Sequence, residues 1–208
     1  MNGYPVIIVA GLGRCGSSLM MQMLQAGGIE CVGEFPSFEI QELNHAPQDS
    51  DWWHAKAGKA VKLLDPHFSP VPHDVNCIAI WMKRDFFHQA KSQMKFSLML
   101  SGYQPQYDRQ HLKAMERSLK RETPIAIANL GGCPILPVLF EDVITNPPVM
   151  AVKVSKFLGK FWLAGNFSPL AAARAAILRP LECAPGLEIE MQLCKDRRSH
   201  NVQRKLLV

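Results

Sequence analysis

The hydrophobic and polar positions of the chain alternate between short apolar runs and longer segments of helical character. The apolar runs are typical of strands buried on both faces of a sheet, and they lie at 6–10, 29–32, 60–64, 77–82 and 135–140. The helices predicted between and after them cover 17–26, 85–100, 109–122, 147–158 and 169–178. Alternation of this kind predicts an α/β fold, a three-layer α/β/α sandwich with a mostly parallel central sheet.

A glycine-rich segment joins the first predicted strand to the first helix. It reads Gly-Leu-Gly-Arg-Cys-Gly-Ser-Ser at positions 11–18 and is called the glycine loop below. Loop amides and the helix N-terminus present partial positive charge to an anion, and glycine lets the backbone approach it closely. The segment therefore predicts a phosphate site, whose residues are Gly11, Gly13, Arg14, Cys15, Gly16, Ser17 and Ser18.

The cation of the glycine loop distinguishes it from a nucleoside-triphosphatase loop. Those loops carry a lysine directly after the second glycine, which reaches the outer phosphates. Here Ser17 takes that position, and the nearest cation is Arg14. The segment resembles the sulfotransferase pattern G-x-x-[RK]-[ST]-G-[ST]-[ST], with Cys15 where that family usually has serine or threonine. The resemblance implies that the loop binds 3′-phosphoadenosine 5′-phosphosulfate (PAPS).

A second signature of the sulfotransferases is an arginine at a strand end with a serine eight residues later. Arg84 follows the predicted strand 77–82, and Ser92 lies eight residues further on. The resemblance implies that both hold the 3′-phosphate of the nucleotide. A looser likeness suggests that Arg197 and Arg198 fold over the nucleotide, although a solvated basic tail explains them equally well.

The resemblance covers about residues 5–160 and implies one sulfotransferase-like domain over 1–208 with a fold like that of the P-loop NTPases. Residues 160–208 are then a helical and basic extension. The implied reaction transfers a sulfuryl group from PAPS to a hydroxyl or amine, releases adenosine 3′,5′-bisphosphate and needs no metal. Arg14 would stabilise the charge that develops on the leaving oxygen. The acceptor is expected to be a small molecule or glycan, which the sequence does not identify.

Two positions offer a general base. Glu34 follows the predicted strand 29–32 and resembles the Gly-Glu segment that supplies a base in some protein-tyrosine and carbohydrate sulfotransferases. Asp65 and His67 follow strand 60–64, where cytosolic family members carry a histidine. A histidine titrates near neutral pH, whereas a glutamate needs its pKa raised by burial. We favour Glu34 because it leaves the sheet edge next to the loop that carries Arg14, and His67 is the alternative.

Two other functions remain open from the sequence. A P-loop kinase of a small metabolite would use the same loop, but Ser17 stands where its lysine belongs. A nucleotide-binding module without catalysis would keep the loop and lose the reaction, and Arg14 and Glu34 argue mildly against it. Binding of adenosine 3′,5′-bisphosphate or of ATP with magnesium separates these possibilities.

Composition limits which binding partners and which cellular compartment are expected for the protein. A net charge of +5 suits anionic ligands but is too small and dispersed to predict nucleic-acid binding. No apolar run approaches the roughly 20 residues of a membrane span, and the first strand starts too early to leave room for a signal peptide. The six cysteines include no C-x-x-C pair, so we expect reduced thiols and a cytoplasmic protein. The oligomeric state is not predicted.

Overall fold

A computed structural model of the chain describes residues 3–40, 42–43, 48–101, 109–161 and 167–178. Its sheet has four parallel strands in the order β2-β1-β3-β4. These are β1 Val6–Gly11, β2 Ala60–Leu64, β3 Cys77–Lys83 and β4 Ile135–Leu139. Because all four run the same way, their carboxyl ends meet at one edge, where open α/β sheets bind ligands.

The five helices that the sequence predicts are present, one of them six residues longer than predicted, and short helices at 50–54 and 140–145 are additional to them. They are α1 Ser17–Ala26, α2 Ser50–His54, α3 Phe86–Ser101, α4 Arg109–Ala128, α5 Phe140–Thr145, α6 Pro147–Leu158 and α7 Pro169–Leu178. Among the described residues, no helix combines the length and apolar character that a membrane crossing requires.

Both faces of the sheet are covered, so the predicted three-layer sandwich is confirmed. Side chains alternate along β1: Ile7 and Val9 enter one apolar cluster, shared with α1, α6 and α7. Val6 and Ile8 enter the other cluster, to which α2, α3 and α4 contribute. All four of these side chains are at most 1% exposed, as expected for the central strand of a parallel sheet.

The strand predicted at 29–32 is wrong. Cys31 forms only an isolated parallel bridge with Ala60. Gly28 and Gly33 stand at the two ends of the segment with φ angles of 101° and 92°, a conformation that turns the chain away from an extended path. Too few residues remain between them to continue a ladder. Glu34 therefore follows a turn rather than a strand.

Helix α4 continues six residues beyond its predicted end at position 122, through Pro124. A proline inside a helix removes one backbone donor and is usually disfavoured. Here the hydroxyl of Thr123 donates to the carbonyl of Leu119 at 2.7 Å. Ala126, in the extra turn, is fully buried on the sheet. Burial of this last turn explains why the helix does not end at Pro124.

Candidate active site

The glycine loop leaves β1 at the carboxyl edge of the sheet, and Gly16 fixes its path. Gly16 has a φ angle of 97°, and a Cβ added there would meet the ring of Phe140 at 2.2 Å. Arg14 also has a positive φ angle, 66°, which is uncommon for a residue with a side chain. The loop thus combines an unusual backbone with direct packing on the start of α5.

The positive end of α1 opens toward the loop. The N-cap of this helix is Gly16, which has no side chain to accept a hydrogen bond from the first turn. The first amides of a helix have no partner within it, and they favour a negative charge. The N-terminus of α1 is therefore available to an anion that enters the loop.

Arg14, Arg84 and Ser92 are in direct contact. Arg84, just after β3, donates from Nη1 to the main-chain carbonyl of Arg14 at 3.1 Å. Arg14 donates from Nε to the hydroxyl of Ser92 on α3 at 3.2 Å. The structure thus brings together the two motifs that lie far apart in the sequence.

Phe140 links the second motif to the loop, and the sequence did not single it out. Its ring packs on Gly16 and carries the Arg84 guanidinium at 4.7 Å from the ring centroid. The next residue, Glu141, accepts from the Asp85 amide at 3.2 Å. Phe140 and Glu141 therefore hold the strand end that presents Arg84. The apolar run ending at position 140 was the available signal.

Two glutamines of α3 also support the glycine loop, and the sequence did not single them out either. Gln89 donates to the carbonyls of Leu12 and Gly13, both at 2.9 Å. Gln93 donates to the Gly13 carbonyl at 3.0 Å. Their spacing of four places them on the helix face that also carries Ser92, and this spacing was the signal available in the sequence.

Asp65 lies against the glycine loop from the end of β2. Its carboxylate accepts from the Gly13 amide at 2.9 Å. Burial raises the pKa of this carboxyl, and the Gly13 hydrogen bond and nearby His67 only partly oppose the rise. His67 is 10% exposed and has Nε2 4.0 Å from a carboxylate oxygen of Glu122 on α4. Asp65 thus contacts the loop, while His67 faces α4.

Lys62 is a buried ammonium group on the otherwise apolar β2. Its side chain is 3% exposed, and Nζ lies 2.5 Å from the carboxylate of Glu39. It also donates to the Ser18 hydroxyl at 3.0 Å and to the Ser37 carbonyl at 2.8 Å. Lys62 thereby ties segment 37–39 to the start of α1. A charged residue in an apolar strand was the signal for this role in the sequence.

The remaining predicted residues differ in their surroundings. Glu34 is exposed, and its carbonyl accepts from the Phe38 amide at 2.7 Å. Cys15 is fully buried, and burial raises the pKa of its thiol to about 11. Burial outweighs the lowering influence of the neighbouring Ser17 amide and hydroxyl on the pKa of this thiol. Arg197 and Arg198 lie outside the described residues.

A cavity of about 300 Å³ adjoins Arg84 at the carboxyl ends of β3 and β4. Its walls include Trp81, Phe86, Thr123 and Glu141, so apolar surface predominates beside a few polar groups. In the described ranges, no cluster of three or more His, Cys, Asp or Glu side chains could hold a metal ion.

Comparison with solved structures identifies the fold. The chain is similar to a mouse sulfotransferase, SULT7A1, solved in complex with PAP, with a TM-score of 0.55 and 14% identity over 89% of this chain and 68% of that one. It is also similar to retinol dehydratase solved with retinol and PAP, with a TM-score of 0.51 and 14% identity over 83% of this chain. The chain spans 64% of the length of retinol dehydratase.

No protein-family model matches the sequence, and no curated protein matches it. At 14% identity, the structural likeness defines the fold alone, the α/β sandwich that the chain shares with these two PAP-bound structures.

Proposed function

We propose that this protein is a sulfotransferase that takes its sulfuryl group from PAPS. The observation that carries the proposal is the contact of Arg84 and Ser92 with the same loop residue, Arg14. Two guanidinium groups and a hydroxyl lie near the N-terminus of α1, whose N-cap Gly16 makes no side-chain capping hydrogen bond. This arrangement suits a nucleotide with two separate phosphate groups, one at the loop and one at the Arg84–Ser92 pair.

The structural neighbours support the same nucleotide. Both were crystallised with PAP, the abbreviation for adenosine 3′,5′-bisphosphate, which is what PAPS becomes after sulfuryl transfer. Ser17 supports it as well, because a kinase loop needs a lysine there to reach the outer phosphates of ATP. We propose a single domain for the reaction and no metal in it.

In the proposed reaction, an acceptor oxygen or nitrogen attacks sulfur in line, and the 5′-phosphate oxygen leaves with the S–O bond electrons. Negative charge grows on that oxygen in the transition state. Arg14 supplies a cation, and the first amides of α1 supply further donors. Interactions that strengthen as this charge develops lower the barrier more than they stabilise bound PAPS.

The general base is proposed to be Asp65, from the pair of sites named by the sequence. Its carboxylate is fixed 2.9 Å from the Gly13 amide, one residue from Arg14. Burial raises its pKa, and a carboxylate with a raised pKa accepts a proton more readily near neutral pH. His67 is directed toward Glu122, and Glu34 lies in an exposed turn. Glu34 and His67 are retained as the alternatives that mutation must separate.

The acceptor is proposed to be a small molecule or a glycan. One neighbour was crystallised with retinol, a small alcohol. The cavity beside Arg84 holds about 300 Å³, the lower limit of the volume usual for ligand pockets. A cavity of this size favours a small acceptor group over a folded protein surface.

Ligand binding and sulfuryl transfer test the proposal separately. Calorimetry should show binding of adenosine 3′,5′-bisphosphate at least tenfold tighter than binding of adenosine 5′-phosphate, and no tighter binding of ATP with magnesium. Radiolabelled PAPS should then label an acceptor in a panel of phenols, alcohols, amines and sugars. Tighter binding of ATP with magnesium would favour the kinase, and bisphosphate binding without transfer to any acceptor would favour the non-catalytic module.

A further inference from the structure

Two cysteines face each other at the amino-terminal edge of the sheet, opposite the edge that carries the glycine loop. Ala79 of β3 pairs with Ile135 of β4 in the parallel register, and its amide donates to the Pro134 carbonyl at 2.9 Å. Two residues earlier on both segments, the same register places Cys77 opposite Cys133. Because side chains alternate along a strand, both thiols share the face that carries Ala79 and Ile135.

The separation of the two cysteines suits a disulfide. Neighbouring strands lie about 4.7–4.9 Å apart, and disulfides join Cα atoms about 4.4–6.8 Å apart. The side chains of Cys77 and Cys133 also belong to the same hydrophobic cluster, Cys77 as a buried member and Cys133 packed against it. Both are free cysteines in this structure.

We propose that Cys77 and Cys133 are a redox modification site, which a small-molecule disulfide such as oxidised glutathione converts reversibly into an intramolecular disulfide. The site uses none of the residues assigned to sulfuryl transfer. It stands whether or not the chain is a sulfotransferase.

Cys133 is the attacking thiol. It is half-buried, in the turn before β4, whereas Cys77 is only 6% exposed. The neighbouring Cys77 thiol lowers the pKa of Cys133. The Cys133 thiol and burial together raise the pKa of Cys77. The more accessible sulfur is thus also the one held closer to its thiolate form, which is the reactive species.

The chemistry proceeds in two balanced exchanges. The Cys133 thiolate attacks one sulfur of oxidised glutathione, an S–S bond breaks, and one glutathione thiolate leaves and takes up the proton that Cys133 lost. Cys77 then loses its proton and attacks the Cys133 sulfur, and the second glutathione leaves as a thiol. The two protein thiols are oxidised by two electrons, and one glutathione disulfide is reduced to two thiols.

The full chain, equilibrated in mixtures of reduced and oxidised glutathione, tests this site. Remaining thiols are blocked with N-ethylmaleimide before denaturation and trypsin digestion. Cleavage after Lys62 and Lys83 releases a peptide whose one cysteine is Cys77, and cleavage after Arg121 and Lys153 releases one whose one cysteine is Cys133. We expect these two peptides to be joined in oxidising mixtures, and excess reduced glutathione to separate them.

Three variants assign the roles. Cys133→Ser should leave Cys77 unmodified, and Cys77→Ser should stop at a mixed disulfide of Cys133 with glutathione. Cys31→Ser is the matched control, because burial raises the pKa of that partly buried thiol to about 12. It should leave the cross-link unchanged. Absence of the joined peptide from the wild-type chain in oxidising mixtures, or its loss in Cys31→Ser, would overturn the proposal without bearing on sulfuryl transfer.

Discussion

The guanidinium of Arg84 donates from Nη1 to the main-chain carbonyl of Arg14, 70 residues earlier in the chain, at 3.1 Å. Arg84 thus supports the glycine loop, and Arg14 in turn contacts the Ser92 hydroxyl. The proposed phosphate subsite at the glycine loop and the one at Arg84 and Ser92 are therefore coupled, because each depends on the position of Arg14.

Replacing Arg84 by alanine is expected to weaken adenosine 3′,5′-bisphosphate binding by about 1.5–3 kcal/mol, the scale of a charge-assisted hydrogen bond. Adenosine 5′-phosphate should lose clearly less, because it lacks the 3′-phosphate. Isothermal calorimetry with both ligands measures the difference. Lys83→Ala removes an exposed neighbouring charge and serves as the control. Equal losses for the two nucleotides in Arg84→Ala would refute the assignment of the 3′-phosphate to this residue.

Asp65→Asn is expected to lower turnover by about 10²–10⁴, the usual contribution of a positioned general base. The asparagine oxygen can still accept from the Gly13 amide, so bisphosphate affinity should stay within about twofold of wild type. Glu34→Gln and His67→Ala, assayed with the same acceptor, should each keep more than about a tenth of the turnover. Loss confined to Glu34→Gln or to His67→Ala would transfer the role to that residue.

The pH dependence of stability gives an independent check on Asp65. Burial raises its folded pKa above the unfolded value, so the folded protein binds this proton more tightly than the unfolded chain does. The charged carboxylate therefore costs stability above the folded pKa. That cost falls as the pH drops through it and vanishes below the unfolded pKa of 3.8.

Asp65→Asn removes the charge and should unfold at the same temperature as wild type, or higher, at pH 7.5. The difference in unfolding temperature between Asp65→Asn and wild type should shrink as the pH is lowered toward 4. Thermal unfolding of both proteins across this range measures the change. An advantage that grows on acidification would contradict the raised pKa.

Gly16→Ala is expected to destabilise the protein by more than Gly132→Ala does. Both glycines have positive φ angles, 97° and 75°, so both substitutions cost roughly 1–2 kcal/mol of backbone strain. Only Gly16 adds a clash with Phe140, since nothing lies within 4 Å of a Cβ at Gly132. Chemical denaturation measures both losses. Equal losses would show that the Phe140 ring moves aside freely.

The sequence predicted the sheet and most helices because their signals are local. Apolar runs mark β1, β2, β3 and β4, and Pro147 begins α6 as proline at a first helical position does. It failed at 29–32, where two glycines at positive φ outweigh an apolar run. It also ended α4 too early, at position 122, because burial of Ala126 depends on tertiary packing.

The candidate site was predicted less completely, because its supports are long-range contacts between polar groups. The motifs identified Arg14, Arg84 and Ser92 as site residues, but they did not predict that Arg14 contacts the other two. Gln89 and Gln93 bond to loop carbonyls 76 to 80 residues away, a relationship that no local pattern carries.

Because Phe140 packs on Gly16, the glycine loop reaches its final shape only after residue 140 has been synthesised. A ribosome completes the glycine loop, Arg84 and Ser92 long before it reaches the residue that closes the loop from the side. A nascent or truncated chain that stops before β4 would carry every recognisable motif and still lack the surface that shapes them. Fragments bearing both motifs are therefore poor substitutes for the whole domain in binding studies.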